Sequence, residues 1–126
     1  MIKGIGIDVV EIGRMREVID RWGNKFLSKV FTDHELEYAH LRKSPVQHIA
    51  ARFAVKEAVA KAMSTGWSQG FRWRDIEVTN DAFGKPSVTL YGEIKDLLRT
   101  TTILVTISHS ESVVVAFAVI EAPDQL

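Results

Sequence analysis

Hydrophobic positions along the chain change period several times, and each change marks an element. Within residues 2–10, Ile5, Ile7 and Val9 alternate with Gly4, Gly6 and Asp8, the two-residue period of a strand with one buried face. Gly4 and Gly6 leave the other face bare, as expected where another backbone or a ligand comes close. Ile12, Met15, Val18, Ile19 and Trp22 then recur at helical spacing, and Gly23 ends that helix. A second helix is announced by Thr32-Asp33-His34-Glu35, a capping-box pattern with Leu36 and Ala39 behind it. Ser44-Pro45-Val46-Gln47 repeats the signal with a Ser N-cap, Pro at N1 and Gln at N3. It opens a central helix over about residues 45–63, which runs to a break at Gly66.

A loop rich in Gly and Trp (Trp67, Gly70, Trp73) precedes a short strand carrying Ile76 and Val78. Asn80-Asp81-Ala82-Phe83-Gly84 is turn chemistry and Lys85–Leu90 resumes the alternation, so 75–90 reads as a hairpin. Residues 93–100 form a short helical pattern. Strands over 103–108 and 113–120 are joined at His109-Ser110-Glu111-Ser112. Val113–Ile120 is apolar on both faces, which predicts a central strand or one covered by a neighbouring subunit. The order β-α-α-α-β-β-α-β-β predicts an α+β fold, a single domain over 1–126 with helices packed on a mostly antiparallel sheet.

Composition narrows the function classes. Lys plus Arg and Asp plus Glu are both 16, so the chain is neutral overall and no global field draws it to nucleic acid or a membrane. Any anion site must come from local clustering. The absence of cysteine rules out a disulfide framework, a thiolate metal site and a cysteine nucleophile. Met1-Ile2-Lys3-Gly4 lacks the long apolar stretch of a signal peptide, and no run is apolar enough to span a bilayer. The expectation is a cytoplasmic protein.

Candidate chemistry centres on Arg52-Phe53-Ala54-Val55-Lys56-Glu57-Ala58-Val59-Ala60-Lys61-Ala62 in the central helix. Glu57 and Lys61 are four apart, so they share one face and nearly touch. Alone, such a pair is usually a solvated contact worth about 0.3–0.5 kcal/mol. Together with Asp8 on the first strand, the two carboxylates suit a hard oxygen-liking ion such as Mg²⁺, which completes its shell with water and phosphate. Lys43, Arg52 and Lys85 are the basic groups available for an anion. His109 either contacts a ligand or caps its turn. Arg14 and Arg21, seven residues apart on the first helix, form either a solvated basic face or a docking stripe for an acidic partner.

Gly4-Ile5-Gly6-Ile7-Asp8-Val9-Val10-Glu11-Ile12 with Arg14, followed by the Arg52–Ala62 segment, closely resembles the holo-acyl-carrier-protein synthase family of short bacterial 4′-phosphopantetheinyl transferases. Ile76-Glu77-Val78, Asn80-Asp81, Gly84-Lys85-Pro86 and Ser108-His109 follow in the family's order. The resemblance implies Mg²⁺-dependent transfer of 4′-phosphopantetheine from coenzyme A to a serine of apo-acyl carrier protein, releasing adenosine 3′,5′-bisphosphate for fatty acid biosynthesis. It implies Asp8 and Glu57 as Mg²⁺ ligands and Lys61 on the pyrophosphate. Arg52 with Lys43 or Arg42 would hold the 3′-phosphate, and Pro86 and His109 would line the nucleotide site. It further implies a homotrimer with active sites shared between subunits, and a first helix, with Arg14 and Arg21, that receives the carrier protein. Ser110-Glu111 departs from relatives that carry Asp directly after the histidine, so no catalytic role transfers to that position.

Two other readings use the same residues. One is a Mg²⁺-dependent hydrolase of nucleotide pyrophosphates, with water as nucleophile. The other is a non-catalytic nucleotide-binding module in which Glu57 and Lys61 are structural. The resemblance leaves Glu57 or a metal-bound water as acceptor of the serine proton.

Overall fold

The computed structural model describes residues 1–63 and 72–124. The expected Gly66 break and the Trp67 and Gly70 part of the following loop lie outside the described residues. The elements are β1 (Ile2–Glu11), α1 (Ile12–Trp22), α2 (Asn24–Val30), α3 (Asp33–His40), α4 (Pro45–Ala62), β2 (Ile76–Asn80), β3 (Pro86–Leu90), α5 (Gly92–Leu97), β4 (Thr102–His109) and β5 (Val113–Glu121). A 3₁₀ turn at Trp73–Asp75 leads into β2. The α+β expectation holds, but the strands divide into two antiparallel sheets, β1-β5-β4 and β2-β3. β5 is the central strand of the larger sheet, as its two apolar faces require.

The packing of α4 on β1 and β5 dominates the structure, and it overturns one expectation. Ile5, Ile7 and Val9 are not the buried face of β1; they are 60%, 54% and 58% exposed. The glycine face turns inward instead. A Cβ added at Gly6 would lie 2.0 Å from the Ala58 carbonyl oxygen, and one at Gly4 would lie 1.8 Å from that of Ala62. Ala54, Ala58 and Ala62, four apart and buried, give α4 a ridge low enough for this backbone approach. Apolar alternation alone does not say which face is covered when the other face is bare backbone.

A second anchor is ionic. Lys56 and Glu35 are wholly buried and pair at 2.9 Å. Lys56 also donates to the carbonyls of Trp73, at 3.0 Å, and Ile76. Glu35 accepts from the Thr32 N–H and from the Val78 N–H, each at 2.9 Å. Burial pushes the Lys56 ammonium below its ordinary pKa, and Glu35 pulls it back. With all these groups satisfied, one pair ties α3, α4 and β2 together; removing either partner alone would strand a buried charge, at a cost of about 3–5 kcal/mol.

The capping box predicted at Thr32 and Glu35 is present in both directions. The one predicted at Ser44 is not. Ser44 is the N-cap and Pro45 follows it, but no side chain caps the helix, and Gln47 turns to His109 at 3.1 Å. Gly23, at φ 51°, ends α1 as expected. The pattern reading missed α2, a seven-residue helix without a side-chain cap, although Leu27 and Val30 carry its buried spacing.

Gly6→Ala is expected to lower stability by about 3 kcal/mol or more, because the obstacle is helix backbone that cannot rotate away. Urea denaturation checks this; a variant as stable as the parent would show that β1 and α4 do not approach so closely.

Candidate active site

Asp8 shares the inward face of β1 with Gly4 and Gly6, so it points at the same side of α4. Its carboxylate meets the Lys61 ammonium at 2.9 Å, and Lys61 also donates to the Ile7 carbonyl at 3.1 Å. The near contact expected between Glu57 and Lys61 is replaced by this reach across to the strand. Glu57 sits one turn before Lys61, half-buried beside both. Burial raises its pKa, the Asp8 charge raises it further, and Lys61 opposes them. All three line a cleft of about 530 Å³ together with Glu11, Arg14 and Phe53.

Two carboxylates confined together, one with its charged form disfavoured by the other, make a place where a divalent cation relieves repulsion. Among the described residues no group of three or more His, Cys, Asp or Glu side chains is placed to hold a metal. A site for Mg²⁺ needs only one or two carboxylates, since that ion keeps water and phosphate in its remaining positions. Asp8 and Glu57 are the residues that would hold it.

The other predicted residues gather elsewhere. Arg52 is 2% exposed; it donates to Asn80 Oδ1 at 2.7 Å, and its Nε has no partner. Asn80 donates in turn to the Gly84 carbonyl at 3.0 Å and pairs with Pro86 across the β2-β3 ladder, which ties Arg52 to the turn before Pro86. His109, at the end of β4, faces Gln47 on the first turn of α4. Lys43 lines a smaller groove with Arg16, Ser44 and Glu111. Gln47 and Glu57 are ten residues apart, about 15 Å along the helix. In one chain, then, His109 lies by the first turn of α4 and the carboxylate cleft along its second half, with Arg52 between them. Arg14 stands at the rim of the cleft; Arg21 lies two turns further on, over the Trp22 ring at 5.7 Å.

Pattern reading missed Tyr38 and His48. The Tyr38 ring lies 3.8 Å from the Arg42 guanidinium and 4.0 Å from that of Arg52, and meets the His48 ring at 5.7 Å. The i,i+4 pairs Tyr38/Arg42 and His48/Arg52 were a usable signal; what hid them was that they meet across two helices.

Comparison with known proteins points one way. The 4′-phosphopantetheinyl transferase superfamily matches residues 4–118. A holo-[acyl-carrier-protein] synthase of Protochlamydia amoebophila is 46% identical over 94% of this chain and 98% of its own. The crystal structure of a holo-[acyl-carrier-protein] synthase from Neisseria meningitidis superposes with a TM-score of 0.88 at 34% identity, covering 96% of this chain and 99% of that one. The Bacillus anthracis synthase, solved in complex with coenzyme A (3′,5′-ADP), superposes with a TM-score of 0.82 at 35% identity, covering 98% and 99%.

Proposed function

The chain belongs to the 4′-phosphopantetheinyl transferase superfamily, among the holo-[acyl-carrier-protein] synthases, and from that premise we propose how its residues carry out the transfer. Coenzyme A donates 4′-phosphopantetheine to a serine hydroxyl of apo-acyl carrier protein, in support of fatty acid biosynthesis. The serine oxygen bonds to the phosphorus bearing pantetheine, the pyrophosphate bond breaks, adenosine 3′,5′-bisphosphate leaves, and the serine loses a proton. The observation that carries this reading is the joining of Asp8, Glu57 and Lys61 in one cleft, from the two segments that define the resemblance.

Asp8 and Glu57 would hold Mg²⁺, which would supply Lewis-acid stabilisation of the charge developing on the leaving bisphosphate. Lys61, which pairs with Asp8 in this structure, would turn its ammonium to the pyrophosphate. Glu57 or a water beside it would accept the serine proton. Nearer the N-terminus of α4, Arg52 with Lys43 or Arg42 provides positive charge for the 3′-phosphate, with Pro86 and His109 beside the nucleotide. Arg14 and Arg21 on α1 form the docking face for the acidic carrier protein.

A homotrimer with shared sites accounts for two features. The outer face of the larger sheet is uncovered and apolar: Ile7, Leu104 and Phe117 are 54%, 53% and 37% exposed, with Ile7 paired to Phe117 in register. The site is also divided within one chain, so a neighbouring copy can bring its basic cluster to this chain's carboxylates. Among the described residues no helix is long and apolar enough to cross a membrane.

Mass spectrometry of apo-acyl carrier protein incubated with coenzyme A and Mg²⁺ tests the reaction. The expected result is a gain of one phosphopantetheine, lost by 10²-fold or more in rate on Asp8→Ala or Glu57→Ala. Nucleotide release without protein modification would instead mark a hydrolase, and neither change would mark a binding module. In the same assay Arg14→Glu should raise the apparent KM for carrier protein, most at low salt, and leave that for coenzyme A unchanged. Sedimentation at micromolar concentration should show a trimer; a monomer would remove the shared-site arrangement.

A further inference from the structure

A second cavity, of about 440 Å³, lies where the end of α2, the N-cap of α3, the 3₁₀ turn and the residue before α5 converge. Lys29, Thr32, Arg72, Arg74, Asp75 and Tyr91 line it, and none of them lines the carboxylate cleft. Three cations therefore share one cavity with a single carboxylate, in a chain that is neutral overall.

Those cations are poorly neutralised. Among the described residues no carboxylate lies within 4.0 Å of Lys29. Arg72 Nε is 3.9 Å from Asp75 Oδ2, and Arg74 is 4.0 Å from Asp33, which is fully exposed. Neither distance is that of a hydrogen bond, and exposed pairs at such range contribute little. The in-plane donors of both guanidinium groups stay available to an oxyanion.

The two hydroxyls of the cavity have the opposite character, and they are fixed in place. Thr32 Oγ1 donates to Glu77 Oε2 at 2.6 Å, and the Tyr91 hydroxyl donates to Glu77 Oε1 at 2.9 Å. Glu77 is buried beneath them. A hydroxyl has one proton, so with that proton committed to Glu77 its oxygen can only accept from a ligand. Thr32 Oγ1 already accepts from the Glu35 N–H as well, which makes Tyr91, half exposed, the freer acceptor.

We propose that this cavity binds a small phosphate ester that also carries hydroxyl groups, such as a sugar phosphate. The phosphate sits among Lys29, Arg72 and Arg74, and a ligand hydroxyl donates to Tyr91 Oη. A bare oxyanion satisfies the cations and leaves the acceptor unused; a neutral polyol does the reverse. The cavity is within the size range of small-molecule sites, about 300–1,000 Å³.

Titration of the full chain with ribose 5-phosphate, inorganic phosphate and ribose tests the proposal, read at the ring resonances of position 91, which report this cavity rather than the transfer site. In the unmodified protein ribose 5-phosphate should shift the Tyr91 resonances at lower concentration than inorganic phosphate does, and ribose should leave them unmoved. Lys29→Gln or Arg74→Gln, both at exposed positions, should weaken ribose 5-phosphate and inorganic phosphate alike, by about tenfold. Tyr91→Phe should weaken ribose 5-phosphate by roughly three- to tenfold and leave inorganic phosphate unchanged. Tyr91 resonances that ignore ribose 5-phosphate in the unmodified protein, or an affinity that survives both Lys29→Gln and Arg74→Gln, would overturn the site. Equal affinity for ribose 5-phosphate and inorganic phosphate, or a preference that persists in Tyr91→Phe, would overturn the assignment to a hydroxylated ester.

Discussion

The structure depends on a backbone-to-backbone contact. Gly4 and Gly6 have no Cβ, and the carbonyl oxygens of Ala62 and Ala58 occupy the space those atoms would need. Any side chain there would push α4 outward from β1. Because Asp8 follows on the same face two residues after Gly6, the contact that seats the helix also sets Asp8 against Glu57 and Lys61. Packing and chemistry are therefore controlled by the same short strand.

The glycines fix how close α4 comes; the buried Lys56–Glu35 pair fixes how it is rotated. Lys56 and Glu57 are neighbours in sequence, about 100° apart around the helix. With Lys56 bound to Glu35 and two carbonyls on one side, Glu57 has to face the cleft on the other. Lys56 lies inside the motif that carries the family resemblance, yet its part is structural. The motif thus encodes an anchor and a cleft-lining carboxylate side by side.

Much of this was legible from residue order. The Thr32–Glu35 box, the stop at Gly23, the hairpin and the central position of β5 follow from local rules, and local rules govern them in the structure. What failed depended on partners distant in sequence. The exposed face of β1 was misassigned because alternation shows two faces without showing which is covered. Lys61 turned to Asp8, 53 residues away, in preference to its helical neighbour, and Gln47 left Ser44 for His109. Composition, too, reported a neutral chain and concealed both its carboxylate cleft and the basic residues that precede it along α4.

If α4 and β1 bring Asp8 and Glu57 to one shared task, the two carboxylates should not act independently. The direct measurement is a double-mutant cycle on carrier-protein modification with Asp8→Asn, Glu57→Gln and the combined variant. Each single change should remove most of kcat/KM, and the double variant should be little worse than the weaker single, since one missing ligand already disables the pair. Losses that multiply, within about a factor of two, would show two carboxylates working separately and would contradict a common site.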